Sequence, residues 1–281
     1  MRVGLKTAPQ MTTWPAMLEV WRTADGIELF ESVWNFDHFE PIFGRPRNGP
    51  CLEGWTTLSA LAQATTRIRV GCMVSGVPYR HPSLLANMAA SLDVISGGRL
   101  ELGLGAGWNT DEAEALGIDL PPLRERFDRF DEALDVIHAL LTQPVSDYDG
   151  EHFELKGAYC EPKCVQSPRP PIWIGGDGPK RTLRAVARHA DYWNAPFTSA
   201  ESLARSVETL HGHCADIGRD PAEITITAQC AHDPAKGVGA TVEAMAELSE
   251  AGCEVGIVYL PESHHTAAEV EVIAEGLAEL P

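Results

Sequence analysis

Eight short apolar segments alternate along the chain with about eight longer amphipathic ones, and regular strand–helix alternation restricts a chain to parallel-sheet architectures. Strands are expected at 2–6, 28–34, 67–74, 100–104, 172–175, 191–195, 223–230 and 255–260. Between them, residues such as Phe127, Phe130, Leu134, Ile137 and Leu141 recur at helical spacing. In the third helix, opened by Pro82, the expected buried stripe is Leu85, Met88, Leu92 and Ile95. The segment 67–74 is almost continuously apolar, as strands covered on both faces are. Eight such units in 281 residues suit a closed (β/α)8 barrel, with a doubly wound open sheet as the alternative. Residues 143–171 break the rhythm: Asp149-Gly150 reads as a hairpin turn, and Pro162, Pro168, Pro170 and Pro171 exclude a long helix. The expected architecture is one α/β domain over 1–281, with an insertion at about 143–171 after the fourth βα unit.

Forty acidic residues stand against twenty-two basic ones, a net charge of -18. Nucleic-acid binding needs a basic footprint, so a nucleic-acid partner is not expected. Seven cysteines without a CxxC pair suit reduced thiols, and no ligand spacing points to a metal. The start of the chain reads as a strand without a signal-peptide core, and no apolar run reaches membrane-spanning length, so a cytoplasmic protein is expected.

In a barrel of this kind chemistry belongs at the carboxyl ends of the strands. Two glycine-rich segments end strands there: Gly103-Leu104-Gly105-Ala106-Gly107-Trp108 and Gly175-Gly176-Asp177-Gly178-Pro179-Lys180. The second runs into a helix start and carries cations, which makes it the better phosphate holder. His38, just past strand two, can exchange a proton or hydrogen-bond a ring heteroatom. Trp34, Trp108 and Trp193 could wall an aromatic ligand, although for any one of them taken singly core packing is the better explanation.

Together these pieces resemble the bacterial luciferase-like monooxygenase superfamily, and most closely the branch that uses the deazaflavin coenzyme F420. The matching segments are Ser32-Val33-Trp34 with Asp37-His38-Phe39, Tyr79-Arg80-His81-Pro82, Ser96-Gly97-Gly98-Arg99, Gly103 to Trp108 with Glu112, Pro168 to Pro171, and Ile174-Gly175-Gly176 with Asp191 to Asn194. The resemblance implies a luciferase-like (β/α)8 TIM barrel acting as an oxidoreductase on a small-molecule substrate, with F420, or alternatively FMN, at the carboxyl face. It implies His38 as the catalytic residue. Cofactor contacts are implied at Cys72, Met73, Gly105, Ala106, Gly107, Trp108, Gly175, Gly176, Asp177, Gly178, Lys180 and Trp193. A non-prolyl cis peptide is implied at Cys72-Met73, and a homodimer by analogy. The anionic coenzyme tail would need basic residues nearby, for which Arg45, Arg47, Arg80, Lys163 and Arg169 are the candidates on loops expected at the rim. Trp108 stands where the sugar-phosphate dehydrogenase branch keeps a glutamate, so that branch's substrate is not implied. A flavin monooxygenase and a flavin-binding protein without turnover are the rival readings.

Overall fold

The computed structural model describes residues 1–278 and 280. The chain forms β1 (Arg2–Lys6), α1 (Trp14–Asp25), β2 (Phe30–Asn35), α2 (Gly54–Ala64), β3 (Arg69–Cys72), β4 (Ser75–Gly76), α3 (Pro82–Ser96), β5 (Leu100–Gly105), α4 (Thr110–Leu116) and α5 (Leu123–Thr142). A hairpin of β6 (Ser146–Asp149) and β7 (Glu154–Ala158) follows. The alternation then resumes with β8 (Ile172–Gly175), α6 (Thr182–His189), β9 (Tyr192–Ala195), α7 (Ala200–Ile217), β10 (Thr225–Ala231), α8 (Gly237–Glu250), β11 (Val255–Tyr259) and α9 (Ala267–Leu277).

Parallel pairings run in the order β3-β2-β1-β11-β10-β9-β8-β5, and β3 also pairs with β5, which closes the ring. β4 continues the third strand beyond a bulge and meets β5 one step higher, Ser75 opposite Leu104 and Gly76 opposite Gly105. The result is a closed eight-stranded parallel barrel wrapped by helices, so the open-sheet alternative falls. The β6–β7 hairpin sits after the fourth βα unit, where the turn signal at Asp149-Gly150 placed it. Among the described residues no helix is long and apolar enough to cross a membrane.

Local sequence fixes the helix ends. The Thr13 hydroxyl caps α1 ahead of Pro15, the Glu53 carboxylate accepts from Trp55 and Thr56 at the start of α2, and Gly97 closes α3 at φ +68°. Ile95 departs from the expected stripe: it is 45% exposed, and α3 buries Leu85, Ala86, Ala89, Leu92 and Asp93 instead. Asp93 is usable there because its carboxylate accepts from the backbone and side chain of Gln166 in the insertion.

The side chains of Leu100, Leu102 and Leu104 point out to the helices, whereas a separate cluster of Trp34, Met73, Trp173, Val255 and Ile257 fills the barrel. Trp34 and Trp173 pack with ring centroids 4.5 Å apart, and Trp173 stacks on Tyr192 at 4.3 Å. A side chain at Gly71 would strike the Trp34 indole.

The third strand then breaks inward. Its cis peptide lies at Met73-Val74, one bond beyond the expected Cys72-Met73. The reason is visible in the ladder: the Met73 amide still donates to the Asn35 carbonyl at 2.9 Å, so the strand remains paired through Met73 before it departs. The displaced segment occupies space where neighbouring strands have no Cβ. A Cβ on Gly103 would collide with the Cys72 carbonyl, one on Gly105 would sit 2.6 Å from Val74 Cγ2, and one on Gly175 would sit 2.9 Å from Val74 Cγ1. The alternating glycines of β5 thus have a packing cause before any ligand is considered.

Gly103→Ala is expected to lower stability by about 1–3 kcal/mol, the usual range for overpacking against backbone. Gly212→Ala, in the middle of α7 with open space around its Cβ position, should raise stability by about 0.5–1 kcal/mol. Urea unfolding of the two variants beside the wild type measures both.

Candidate active site

A cavity of about 440 Å³ opens at the carboxyl ends of the strands. Its lower part is polar and buried. The Lys6 ammonium, at the end of β1, donates to Gln229 Oε1 at 2.8 Å; Gln229 Nε2 donates to Asn194 Oδ1 at 2.6 Å; Asn194 Nδ2 donates to Thr227 Oγ1 at 3.0 Å. Burial draws the Lys6 pKa down to about 8. One wall is formed by Met73 and Val74 at the bulge, with Gly175 and Gly176 beside them. The mouth is aromatic: Phe43, Trp108 and Phe197 are 60%, 56% and 45% exposed. Phe43 stacks on Trp108 at 6.2 Å and meets the Phe197 edge at 6.1 Å. Phe43 and Phe197 are both held at positive φ, +57° and +41°, an unusual backbone state for bulky residues.

His38 lines the same cavity among Phe36, Tyr79 and Trp108. Its Nδ1 is 2.8 Å from Glu112 Oε2, and the Tyr79 hydroxyl donates to the same oxygen at 2.6 Å. Glu112 Oε1 accepts from the backbone amides of Phe39 and Glu40 at 2.7 and 3.1 Å. Burial alone would raise this carboxyl, but the hydrogen bonds from His38, Tyr79 and the backbone outweigh it and bring its pKa to about 2. An ionised Glu112 can only accept, so His38 Nδ1 carries the hydrogen and Nε2 is left as the free ring nitrogen. A second carboxylate, Asp37, is gripped by both ends of the Arg80 guanidinium at 2.5 and 2.8 Å. Burial nonetheless pushes its pKa up to about 6. Arg80 also reaches Glu53 at 2.7 Å and thereby ties the loop after β2 to the start of α2.

The residues nominated from sequence divide by position. His38, Met73, Gly107, Trp108, Gly175 and Gly176 line the cavity together with Asn194 and Gln229. Gly107 and Gly176 have φ of +81° and +117°, so both stretches offer bare backbone to the cavity. Gly105 and Cys72 are buried behind the bulge, with the Cys72 side chain in the helix-side core, and Ala106 also packs on that core. Gly178 packs on Thr182, while Asp177 and Lys180 are exposed and outside the cavity lining. Trp193 is fully buried on the helix side of β9 and its Nε1 donates to the Gly176 carbonyl at 2.7 Å, so it braces the loop instead of walling the cavity.

The basic residues nominated for an anionic tail are each engaged. Arg45 pairs with Glu262, Arg47 with Glu40, Arg80 with Asp37 and Glu53, Lys163 with Glu161, and Arg169 with Asp191. Arg169 is also misplaced by the rim expectation: its partner Asp191 also accepts from the Ile172 amide at the start of β8, the opposite end of the barrel. Among the described residues no group of three or more His, Cys, Asp or Glu could hold a metal ion.

Lys6, Phe43, Tyr79 and Phe197 line the cavity without having been nominated. For Lys6 a signal existed, a lone cation at the carboxyl end of an apolar strand. For Phe43 and Phe197 there was none, because loop conformation decides their placement.

Comparison with known proteins adds three findings. A family model described as luciferase-like monooxygenase matches residues 6–236. An uncharacterized Mycobacterium tuberculosis protein is 36% identical over 170 residues, covering 60% of this chain and 58% of that one. A phthiodiolone/phenolphthiodiolone dimycocerosates ketoreductase from Mycobacterium sp. (strain JLS) is 30% identical over 213 residues, 69% of this chain and 55% of that one. The chain thus spans between half and two thirds of the length of these curated relatives. Among solved structures, an F420-dependent secondary alcohol dehydrogenase in complex with an F420-acetone adduct superposes with a TM-score of 0.84 over 98% of both chains, at 18% identity. At that identity the likeness establishes the fold.

The depressed Glu112 carboxyl predicts an acid-dependent contribution to stability. Its folded pKa of about 2 lies below the ordinary value of 4.5, so its stabilisation is complete above pH ~4.5 and is lost as pH falls toward 2. The urea midpoint of the wild type should exceed that of Glu112→Gln near neutral pH, and the two should converge as pH approaches about 2.

Proposed function

We propose that this chain, which belongs to the luciferase-like monooxygenase family, is an F420-dependent oxidoreductase that interconverts a carbonyl compound and its alcohol. The observation that carries the reading is the His38–Glu112 pair set in the wall of an aromatic cavity beside the β3–β4 bulge. The ketoreductase name of one relative and the F420-acetone adduct of a structural neighbour point in the same direction. The cavity suits a flat polycyclic ring: Met73 and Val74 offer an apolar wall, and Gly107, Gly175 and Gly176 offer backbone without side chains.

When bound, the deazaflavin would supply hydride exchange at its C5 carbon. His38 Nε2 accepts the hydroxyl proton as the carbinol carbon gives up its hydride, and in the reducing direction the imidazolium returns that proton to the carbonyl oxygen. The Glu112 carboxylate holds the imidazole orientation and offsets the imidazolium charge. Tyr79 and the Phe39 and Glu40 amides keep that carboxylate from rotating away. The aromatic residues at the mouth offer the substrate an apolar surround.

Titrating the protein separately with F420 and FMN should give saturable binding of the deazaflavin in preference to FMN. Turnover with reduced F420 should consume almost no oxygen; stoichiometric oxygen uptake with reduced FMN would instead assign a monooxygenase. At saturating coenzyme, His38→Ala should lower kcat by about 10²-fold or more, and unchanged turnover would remove His38 from the chemistry.

A further inference from the structure

Lys6 is the unusual member of the cavity. The residue is only 7% exposed, yet among the described residues it forms no ion pair: one amide oxygen, Gln229 Oε1, is its hydrogen-bond acceptor. The remaining contacts are aromatic, with Nζ 5.9 Å from the Phe197 ring centroid and 5.8 Å from that of Tyr259. Gln229 is neutral and cannot balance the charge, and its amide nitrogen donates onward to Asn194. A buried ammonium without a counter-ion is costly, so an anionic group that reached it would relieve that cost. Although burial has drawn its pKa to about 8, the charged form prevails at neutral pH.

The surrounding charges make this position distinctive. The protein carries a net charge of -18; Arg80 is already held by Asp37 and Glu53, and Arg126, which donates to the Gly107 carbonyl at 3.1 Å, lies outside the cavity lining. His38 is likewise turned toward Glu112. Among the described residues, Lys6 is thus the cavity-lining cation without an ion pair, below an apolar aromatic mouth.

We propose that the substrate carries a carboxylate, and that the Lys6 ammonium receives it in the polar lower part of the cavity while the aromatic residues at the mouth enclose the rest of the molecule. This rests on the oxidoreductase reading above and names its substrate class: a carboxylate-bearing carbonyl or alcohol. Asn194 and Gln229 set the direction of approach, since their amides lock the lysine toward the cavity. Lys6 acts as a specificity residue, separate from the proton exchange at His38.

The test uses benzoate and its neutral counterpart benzamide as probes, with binding to the full chain followed by calorimetry at neutral pH, with and without F420. Wild type should bind benzoate roughly tenfold or more tightly than benzamide, as expected for a charge-assisted contact in a buried site. Lys6→Met, which keeps most of the side chain's length without its charge, should abolish that preference; Lys6→Gln serves as a second variant should the first fail to fold. The proposal is overturned if benzoate binds no more tightly than benzamide to wild type, or not at all, or if the preference survives in both variants. It is overturned equally if removing the ammonium abolishes F420 binding and leaves the carboxylate preference intact, which would assign the charge to the coenzyme. Because the probe measurements without F420 involve no coenzyme, their outcome is separable from failure of the F420 titration.

Discussion

The intrusion of the third strand into its own barrel is the constraint on which the site depends. Between Cys72 and Ser75 the backbone leaves the sheet and brings Met73 and Val74 into the cavity. It can do so only because Gly103, Gly105 and Gly175 leave room that any Cβ would fill. Close packing makes this an all-or-none arrangement, since a single methyl group on β5 would meet the Cys72 carbonyl. The barrel below is sealed by Trp34, Trp173 and Tyr192, so the bulge also marks the boundary between solid core and open cavity.

Above that boundary, polar groups are sorted by the elements that carry them. Strand ends supply Lys6, Asn194 and Gln229, whose hydrogen bonds cross the barrel from one strand to another and are rigid for that reason. Loops supply His38, Phe43, Trp108 and Phe197, which set the shape of the mouth. The proposed chemistry is thus anchored to the scaffold through Glu112, while loops on such a barrel can differ in shape without disturbing it.

The architecture was legible because hydrophobic periodicity is a local signal: the ranges of β1 and β8 coincide with what the spacing of apolar residues implies. The hairpin at Asp149-Gly150 was equally plain from its turn chemistry. Short α4 was missed because seven residues, four of them polar, are too few to display a helical apolar period. At the site, the glycine-rich segments marked the correct end of the barrel but concealed two causes. Gly103 and Gly105 accommodate the bulge, whereas Gly107 and Gly176 face the cavity. Trp193 looked like a wall because strand alternation alone does not say which face is inward. The neighbouring Asn194, not Trp193, points into the barrel. The pairing of His38 with Glu112 spans 74 residues and became visible only when the fourth unit packed against the second.

Glu112 gathers four donors onto two oxygens: a ring nitrogen, a phenol and two consecutive amides of the segment that follows His38. The imidazole and the backbone of residues 39–40 are therefore clamped to one point. Mechanically they share a single degree of freedom, and a movement of the 40–52 loop that admits or releases a ligand must also tilt the histidine. Opening the mouth and disarming the proposed proton relay become the same motion.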